Sequence, residues 1–245
     1  MKHSWRVTAP RFSHFSGMNR TGAKFVLSLI ILSLLAACAG RPQLPELTGL
    51  AADNGTQAGP NRQRCGKAFL SGNWQLVHAI DFNRGGRGGT SLIGVTTLTG
   101  PTLHCLLMTV EGLVLFEAEL DREQLTIQRA IPPFDKPEFA RGLMGDVQTI
   151  FIEPAGQQPV TGRLAGGESV CRYRADNGQI TDIIRAATGG LQIHVYDAGL
   201  KRSRTVVAGA HLAMAGEMIP ETLELRATGL NEYTLTMTLI SADKL

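Results

Sequence analysis

Residues 106–120 have the sequence LLMTVEGLVLFEAEL, which contains two strand patterns joined by a tight turn at Glu111-Gly112. After the turn, apolar residues occupy every second position from Val114 to Leu120, and Glu117 and Glu119 lie on the other face. A period of two is typical of a strand with one buried face. Because the turn is too short for a crossover connection, the two strands are expected to pair in antiparallel fashion.

The same alternation recurs on both sides of this hairpin. Apolar side chains and one histidine, His78, occupy every second position from Trp74 to Phe82, and apolar side chains alternate with threonine over residues 233–239. Asn177-Gly178 is a typical two-residue hairpin turn. Short connections of this kind predict a mainly β domain built on one long antiparallel sheet, with an apolar face that needs cover.

One helix is predicted between the strands. Asp135 can act as its N-cap, Pro137 stands near its first turn, and Glu138 completes a capping box. Its apolar stripe consists of Phe139, Leu143, Val147 and Ile150. A single helix of this length cannot cover a sheet of so many strands. The rest of the apolar face is therefore expected either to pack on itself or to line a cavity.

The N-terminal region has the order of a secretory signal peptide. Arg20 and Lys24 precede an apolar run at residues 25–35, and small residues follow it. A helix that spans a bilayer needs ~20 apolar residues, which is more than this run provides. Residues 1–37 are interpreted as a lipoprotein signal peptide, with Met18 as an alternative start.

The end of this segment also suggests a lipid anchor. Leu35-Ala36-Ala37-Cys38 resembles the bacterial lipobox, and the resemblance implies that Cys38 is lipidated and becomes the first residue of the mature protein. The next residue is Ala39 rather than aspartate. By resemblance to the sorting rule of diderm bacteria, this favours the outer membrane, with the domain facing the periplasm.

Removal of the signal peptide changes the charge of the chain. Residues 1–37 carry five basic residues and no acidic one, so the rest has 19 basic and 21 acidic residues and a net charge of −2 instead of +3. A nucleic-acid partner is not expected, since such proteins carry clustered Lys and Arg. Residues 38–64 contain three prolines and are interpreted as a linker, and residues 65–245 as one domain.

The residue types that would carry catalysis or bind metal are scattered. Cys65, Cys105 and Cys171 allow at most one disulfide in an oxidising compartment, and the sequence leaves the pairing open. The spacing of these cysteines is too wide for a zinc motif, so a metal site is not expected. A cofactor is not expected either. The chain lacks the Gly-x-Ser-x-Gly motif, and an enzyme is not expected. His78 lies on an apolar strand face, which favours a role in the core or in a cavity lining.

The order of these elements resembles that of a known family. A lipobox, a linker, a strand meander, one helix, further strands and a final strand pair after Ile219-Pro220 resemble the LolA/LolB-like lipoprotein-localisation factors and their uncharacterised lipoprotein relatives, over Trp74 to Ser241. Residues 106–120 and 219–225 match best. The resemblance implies a curved antiparallel half-barrel sheet (α+β) whose concave apolar face, covered by the helix, holds the acyl chains of lipoproteins or another lipid.

Two groups of site residues follow from the shared strand and helix faces and from the family. The cavity lining is predicted to comprise Trp74, Leu76, Ile80, Phe82, Leu107, Phe116, Phe139 and Leu143. The loop that matches the protruding loop of LolB-like receptors comprises Val110, Glu111, Gly112 and Leu113. Those receptors carry an exposed apolar residue on this loop, whereas Glu111 stands at the tip here. A relative that shares the cavity is therefore expected rather than a LolB receptor.

Two functions fit this sequence. The first is a monomeric outer-membrane lipoprotein that carries or accepts a lipid or the acyl chain of a lipoprotein, attached to the membrane through Cys38. The second is a structural or interaction lipoprotein without a ligand, whose exposed edge strand recruits a partner in the cell envelope.

Overall fold

The computed structural model of the protein describes residues 43–51, 65–85, 87–154, 158–229 and 232–245. The proposed signal peptide, the alternative start at Met18 and the lipid-bearing Cys38 lie outside these ranges. The described strands are β1 (Thr48–Ala51), β2 (Trp74–Arg84), β3 (Arg87–Thr99), β4 (Thr102–Thr109), β5 (Val114–Asp121), β6 (Gln124–Ala130), β7 (Val160–Arg163), β8 (Ser169–Arg174), β9 (Ile180–Arg185), β10 (Leu191–Tyr196), β11 (Arg202–Ala208), β12 (His211–Met214), β13 (Glu217–Pro220), β14 (Thr222–Ala227) and β15 (Tyr233–Lys244). The described helix is α1 (Pro137–Phe151).

Thirteen of these strands form one large, curved, open antiparallel sheet, as predicted. The strand order is β1-β7-β8-β9-β10-β11-β14-β15-β2-β3-β4-β5-β6, and β12 and β13 form a separate hairpin. The last strand, β15, pairs with β2 from Thr234↔Asn83 to Lys244↔Trp74 and so joins the two meanders. The fold class predicted from the alternating pattern is confirmed.

The inner face of the sheet carries the core. Trp74, Leu76 and Phe116 are fully buried on the face that the period of two places inward, and Leu225 of β14 is also fully buried. Full burial of such a side chain stabilises the folded state by about 1.5–3 kcal/mol. The predicted turn at Glu111-Gly112 is also present, with Gly112 at φ +89°.

The helix lies between β6 and β7 in the chain and packs on the inner face. Lys136, not Asp135, is its N-cap, and no side chain caps its first turn. Phe139 was predicted to lie in the buried stripe, but it is 39% exposed and packs edge-to-face on Phe134, with 5.1 Å between the ring centroids. The buried face is wider than the predicted stripe and includes Ala140, Met144, Asp146, Ile150 and Phe151. A buried aspartate is not expected from apolar periodicity, and Asp146 forms an ion pair with Arg204 of β11.

Two features lie outside the predicted pattern of alternation. Within the segment interpreted as a linker, Thr48–Ala51 forms β1 and pairs with β7 at the sheet edge. Cys65 and Cys171 form a disulfide, which resolves the pairing that the sequence left open. Cys105 is a buried free thiol, and burial raises its pKa to about 12, so it is inert as a nucleophile.

Candidate functional site

A cavity of about 540 Å³ lies on the inner face of the sheet, next to the C-terminal end of α1. Ligand pockets commonly occupy roughly 300–1,000 Å³, so its volume suits a small ligand or part of a larger one. Its lining comprises residues 66–71, His78, Ile150, Phe151, Leu191, Ile193, Val206, Ala208, residues 216–220 and Leu223.

The floor of the cavity is apolar. It is built by Leu191 and Ile193 of β10, Val206 and Ala208 of β11, and Leu223 of β14, all of which are buried. Residues two positions apart on a strand share a face, so neighbouring strands supply these side chains as a continuous patch. This patch can bind hydrocarbon by the hydrophobic effect, at ~0.8 kcal/mol for each CH₂ group removed from water.

Two walls rise from this floor, and a hydrogen bond connects them. One wall is the segment 66–71, which follows the disulfide at Cys65 and is held where Trp74 Nε1 donates a hydrogen bond of 2.9 Å to the Ser71 carbonyl. The other wall consists of residues 216–220 of the β12–β13 hairpin. The Ser71 hydroxyl donates a hydrogen bond to a carboxylate oxygen of Glu217 on this hairpin. The walls are thus positioned by contacts between residues far apart in the chain.

His78 is the buried polar side chain of the lining. It lies on β2, is 1% exposed, and its ring centroid is 5.7 Å from that of Phe151. Its Nδ1 atom is buried, and none of the described residues offers it a hydrogen bond. Burial lowers the pKa of His78 to about 4, so the imidazole is neutral at pH 7.

This neutral imidazole makes the stability of the protein depend on pH. Burial lowers the pKa of His78 from 6.5 to about 4, so between these values the unfolded chain binds a proton that the folded protein does not. Above pH 6.5 the group has no effect, and as the pH falls to 4 it lowers the free energy of unfolding by up to about 3 kcal/mol. We expect the difference in urea-unfolding free energy between wild type and His78→Leu to change across this window.

The control for this experiment is a cavity variant that does not titrate. Ile193→Leu changes the same lining, and its difference from wild type is expected to be the same at pH 7 and pH 4. A constant difference between wild type and His78→Leu over this range would contradict the prediction.

None of the eight side chains predicted to line a cavity lines this one. Five of them, Trp74, Leu76, Leu107, Phe116 and Leu143, lie in the core or against it. Ile80 also packs against the core, Phe82 lies 5.7 Å from the Tyr233 ring, and Phe139 is exposed on α1. The strand members alternate with outward-facing residues and belong to the β2–β5 half of the sheet. Their contact with a ligand stays a prediction.

Sequence reasoning missed the cavity walls because neither wall has a periodic pattern. Residues 66–71 form no strand, and the β12–β13 hairpin is only partly buried. His78 was the one signal within reach, since a polar residue stands there at an apolar position of β2.

The protruding loop combines exposed apolar side chains with an acidic tip. Val110 is 62% exposed and Leu113 is 60% exposed, and Glu111 and Gly112 between them are also exposed. A hydrogen bond from Thr109 lowers the pKa of Glu111, which keeps the tip ionised. The loop therefore presents a negative charge at its end and hydrophobic surface beside it.

Two kinds of feature are absent from the part of the chain that the structure describes. In these ranges no group of three or more His, Cys, Asp or Glu residues is arranged to hold a metal ion. The same ranges contain no helix that is both long enough and apolar enough to cross a bilayer.

The fold of the chain has counterparts among solved structures. No family model matches the chain, and no curated protein is significantly similar to it. The structure resembles that of a LolA superfamily protein from Nitrosomonas europaea, with a TM-score of 0.57 and 9% identity over 78% of this chain and 94% of that one. The chain has a LolA-like fold. At this identity, the likeness concerns the fold alone.

Two other solved structures match at lower TM-scores. An outer membrane lipoprotein-sorting protein domain from Vibrio parahaemolyticus matches at a TM-score of 0.45 and 6% identity, over 75% of this chain and 90% of that one. A DUF1329 family protein from Desulfovibrio piger matches at 0.44 and 10% identity, over 74% and 89%.

Proposed function

We propose that this protein is a lipid-anchored carrier or acceptor that binds the acyl chain of a lipid or lipoprotein and catalyses no reaction. In this proposal, Cys38 attaches the monomeric protein to the outer membrane, and the domain faces the periplasm. The apolar cavity beneath α1 carries the proposal, because its floor offers five apolar side chains and no charged one. The lipobox and the LolA-like fold support the same theme of lipoprotein traffic.

The distribution of charge suggests how such a ligand is oriented. The ionisable side chains of the lining, besides His78, are Lys67 and Glu217, and both belong to the walls rather than the floor. Burying an unpaired charge against the floor would be costly. An ionised lipid headgroup is therefore expected at the opening, with the hydrocarbon chain inside.

A matched pair of substitutions on β11 tests this proposal. Val206 is 2% exposed and lines the cavity, whereas its neighbour Val207 is 36% exposed on the other face of the sheet. Val206→Phe is expected to weaken binding of a fluorescent fatty-acyl probe about 50-fold, because the ring displaces roughly three CH₂ groups. Val207→Phe is expected to bind like wild type. Probe titration of the full chain measures both affinities, and thermal unfolding checks that both variants fold.

Three outcomes would count against an acyl-chain carrier. These are a wild-type protein that binds no acyl probe, two variants with equal losses, or a folded Val206→Phe with full affinity. Native mass spectrometry of the purified protein gives an independent readout, since a co-purifying lipid adds a mass that identifies its class.

The second candidate function has one observation in its favour. The edge strand β6 pairs only with β5 among the described strands, and its Ile127 side chain is 37% exposed. An edge of this kind can pair with a strand of another protein. Crosslinking in cells that recovers one envelope protein at β6, together with a lipid-free mass, would favour an interaction lipoprotein.

A further inference from the structure

We propose that the ligand is a hydroxyl-bearing acyl chain, whose hydroxyl group forms a hydrogen bond with Nδ1 of His78 inside the cavity. This inference rests on the proposed function and adds to it the chemical class of the ligand. Two observations carry it: the apolar lining of the cavity and the unpartnered polar atom within that lining.

His78 lowers the stability of the folded protein as long as its Nδ1 atom faces only hydrocarbon. Its Nδ1 atom is buried and has no hydrogen-bond partner among the described residues. A buried polar atom left unpaired destabilises the folded state, because it has lost its hydration without gaining a hydrogen bond in return. A plain alkyl chain in the cavity would keep that cost, whereas a polar group on the chain would remove it.

The group that forms a hydrogen bond with Nδ1 of His78 is expected to be uncharged. His78 is 1% exposed and lies beside Phe151, so an ion next to it would also be desolvated. The neutral imidazole has no charge to offset a buried carboxylate or phosphate. An uncharged group therefore fits the position better than an ionised headgroup.

Among uncharged groups, a hydroxyl suits Nδ1 of His78 better than a carbonyl. In a neutral imidazole, Nδ1 either donates or accepts a hydrogen bond, depending on which ring nitrogen carries the proton. A hydroxyl can both donate and accept, so it satisfies Nδ1 in either tautomer. An ester carbonyl only accepts and would require one of the two tautomers.

The neighbour of His78 on the adjacent strand limits the direction from which a ligand can approach. Gly94 of β3 pairs with His78 of β2, and a Cβ atom at Gly94 would lie 2.5 Å from Cδ1 of Ile80. The side chain of Ile80 thus lies over the glycine. The place beside His78 on β3 is therefore filled by Ile80, and a ligand reaches the imidazole from the cavity that His78 lines.

A set of probe lipids tests the inference with the full chain. The probes are methyl octadecanoate and its hydroxylated forms with the hydroxyl at carbon 3, 9 or 12, so that several depths in the cavity are sampled. At least one hydroxylated probe is expected to bind wild type about fivefold more tightly than the unsubstituted ester, the gain from one net hydrogen bond. Competition against a fluorescent fatty-acyl probe gives each affinity.

Two variants of His78 assign the preference to this side chain. His78→Leu is expected to lose the preference, so that the hydroxylated and the unsubstituted esters bind it with similar affinity. His78→Gln keeps a hydrogen-bonding side chain and is expected to keep the preference. A merely structural role of His78 would lower the affinity for all probes alike.

The outcomes separate this inference from the proposed function. If wild type binds the unsubstituted ester but prefers none of the hydroxylated probes, the hydroxyl inference is overturned and the acyl-chain carrier stands. A preference that persists in His78→Leu also overturns it. If wild type binds none of the esters, the proposed function itself fails.

Discussion

Replacing Cys65 and Cys171 together by serine is expected to lower the free energy of unfolding by about 4 kcal/mol. The disulfide joins residues separated by 106 positions, and a cross-link of that span restricts the unfolded chain strongly. Removing a native disulfide typically costs about 2–5 kcal/mol. Urea unfolding of the full chain, oxidised wild type against Cys65→Ser/Cys171→Ser, measures the effect.

Reduction provides the control for this experiment. Wild type treated with reductant is expected to unfold like the double variant, and the double variant is expected to be insensitive to reductant. Cys105→Ala removes the buried free thiol and should remain as sensitive to reductant as wild type. A loss below 1 kcal/mol in the double variant would contradict this prediction.

The same variant connects stability to the candidate site. Cys65 directly precedes segment 66–71, which forms one wall of the cavity, and Cys171 lies on β8 of the sheet. Without the disulfide, this wall is held to the rest of the lining by the Ser71 contacts with Trp74 and Glu217. Faster release of an acyl probe is therefore expected under conditions where the double variant is still folded.

Much of the fold was predictable because each strand carries its own local signal. Alternation over Trp74–Phe82 and over residues 233–239 distinguishes the inner from the outer face, and these two segments do pair in the sheet. Tight turns such as Glu111-Gly112 fix antiparallel neighbours without any knowledge of distant contacts. Such patterns act over a few residues, so a single sequence displays them.

The position of the cavity depends on contacts that no local pattern records. An inward-facing apolar side chain looks the same in sequence whether it packs in a core, as Trp74 does, or borders a void, as Ile193 does. The difference arises from where α1 ends and from two walls positioned by the Cys65–Cys171 disulfide and the hydrogen bond between Ser71 and Glu217. The strand residues predicted for a lining lie on β2, β4 and β5 and stay a prediction, whereas the described cavity has its floor on β10, β11 and β14.

Asp146 is a second determinant that periodicity could not identify. It is 3% exposed on α1, and its carboxylate accepts a hydrogen bond of 2.7 Å from Nε of Arg204 and another from the Tyr233 hydroxyl. Burial alone would lower the pKa of Arg204, but the charge of Asp146 raises it above its usual value. Burial, together with that charge, also raises the pKa of Tyr233. The three side chains fasten the helix to β11 and β15.

Asp146→Ala is expected to lower the free energy of unfolding by about 3 kcal/mol. Removing one partner of a buried ion pair costs roughly 3–5 kcal/mol because the other partner stays unpaired. The lower end applies here, since the Arg204 side chain is 27% exposed and partly solvated. Glu138→Ala removes a carboxylate from the exposed first turn of the same helix and is expected to change stability by less than about 0.5 kcal/mol. Urea unfolding of both variants measures the difference.

A triple variant and a binding assay show what the ion pair does for the site. Asp146→Leu/Arg204→Met/Tyr233→Phe replaces the network by apolar side chains and is expected to recover most of the stability lost in Asp146→Ala. Ile150 and Phe151 line the cavity about one turn beyond Asp146, so a loosened helix should also weaken binding of an acyl probe. Affinity that recovers together with stability in the triple variant would mean that the network acts by holding the helix over the cavity. Undiminished affinity in a destabilised Asp146→Ala would instead mean that the packing of Ile150 and Phe151 alone keeps the cavity covered.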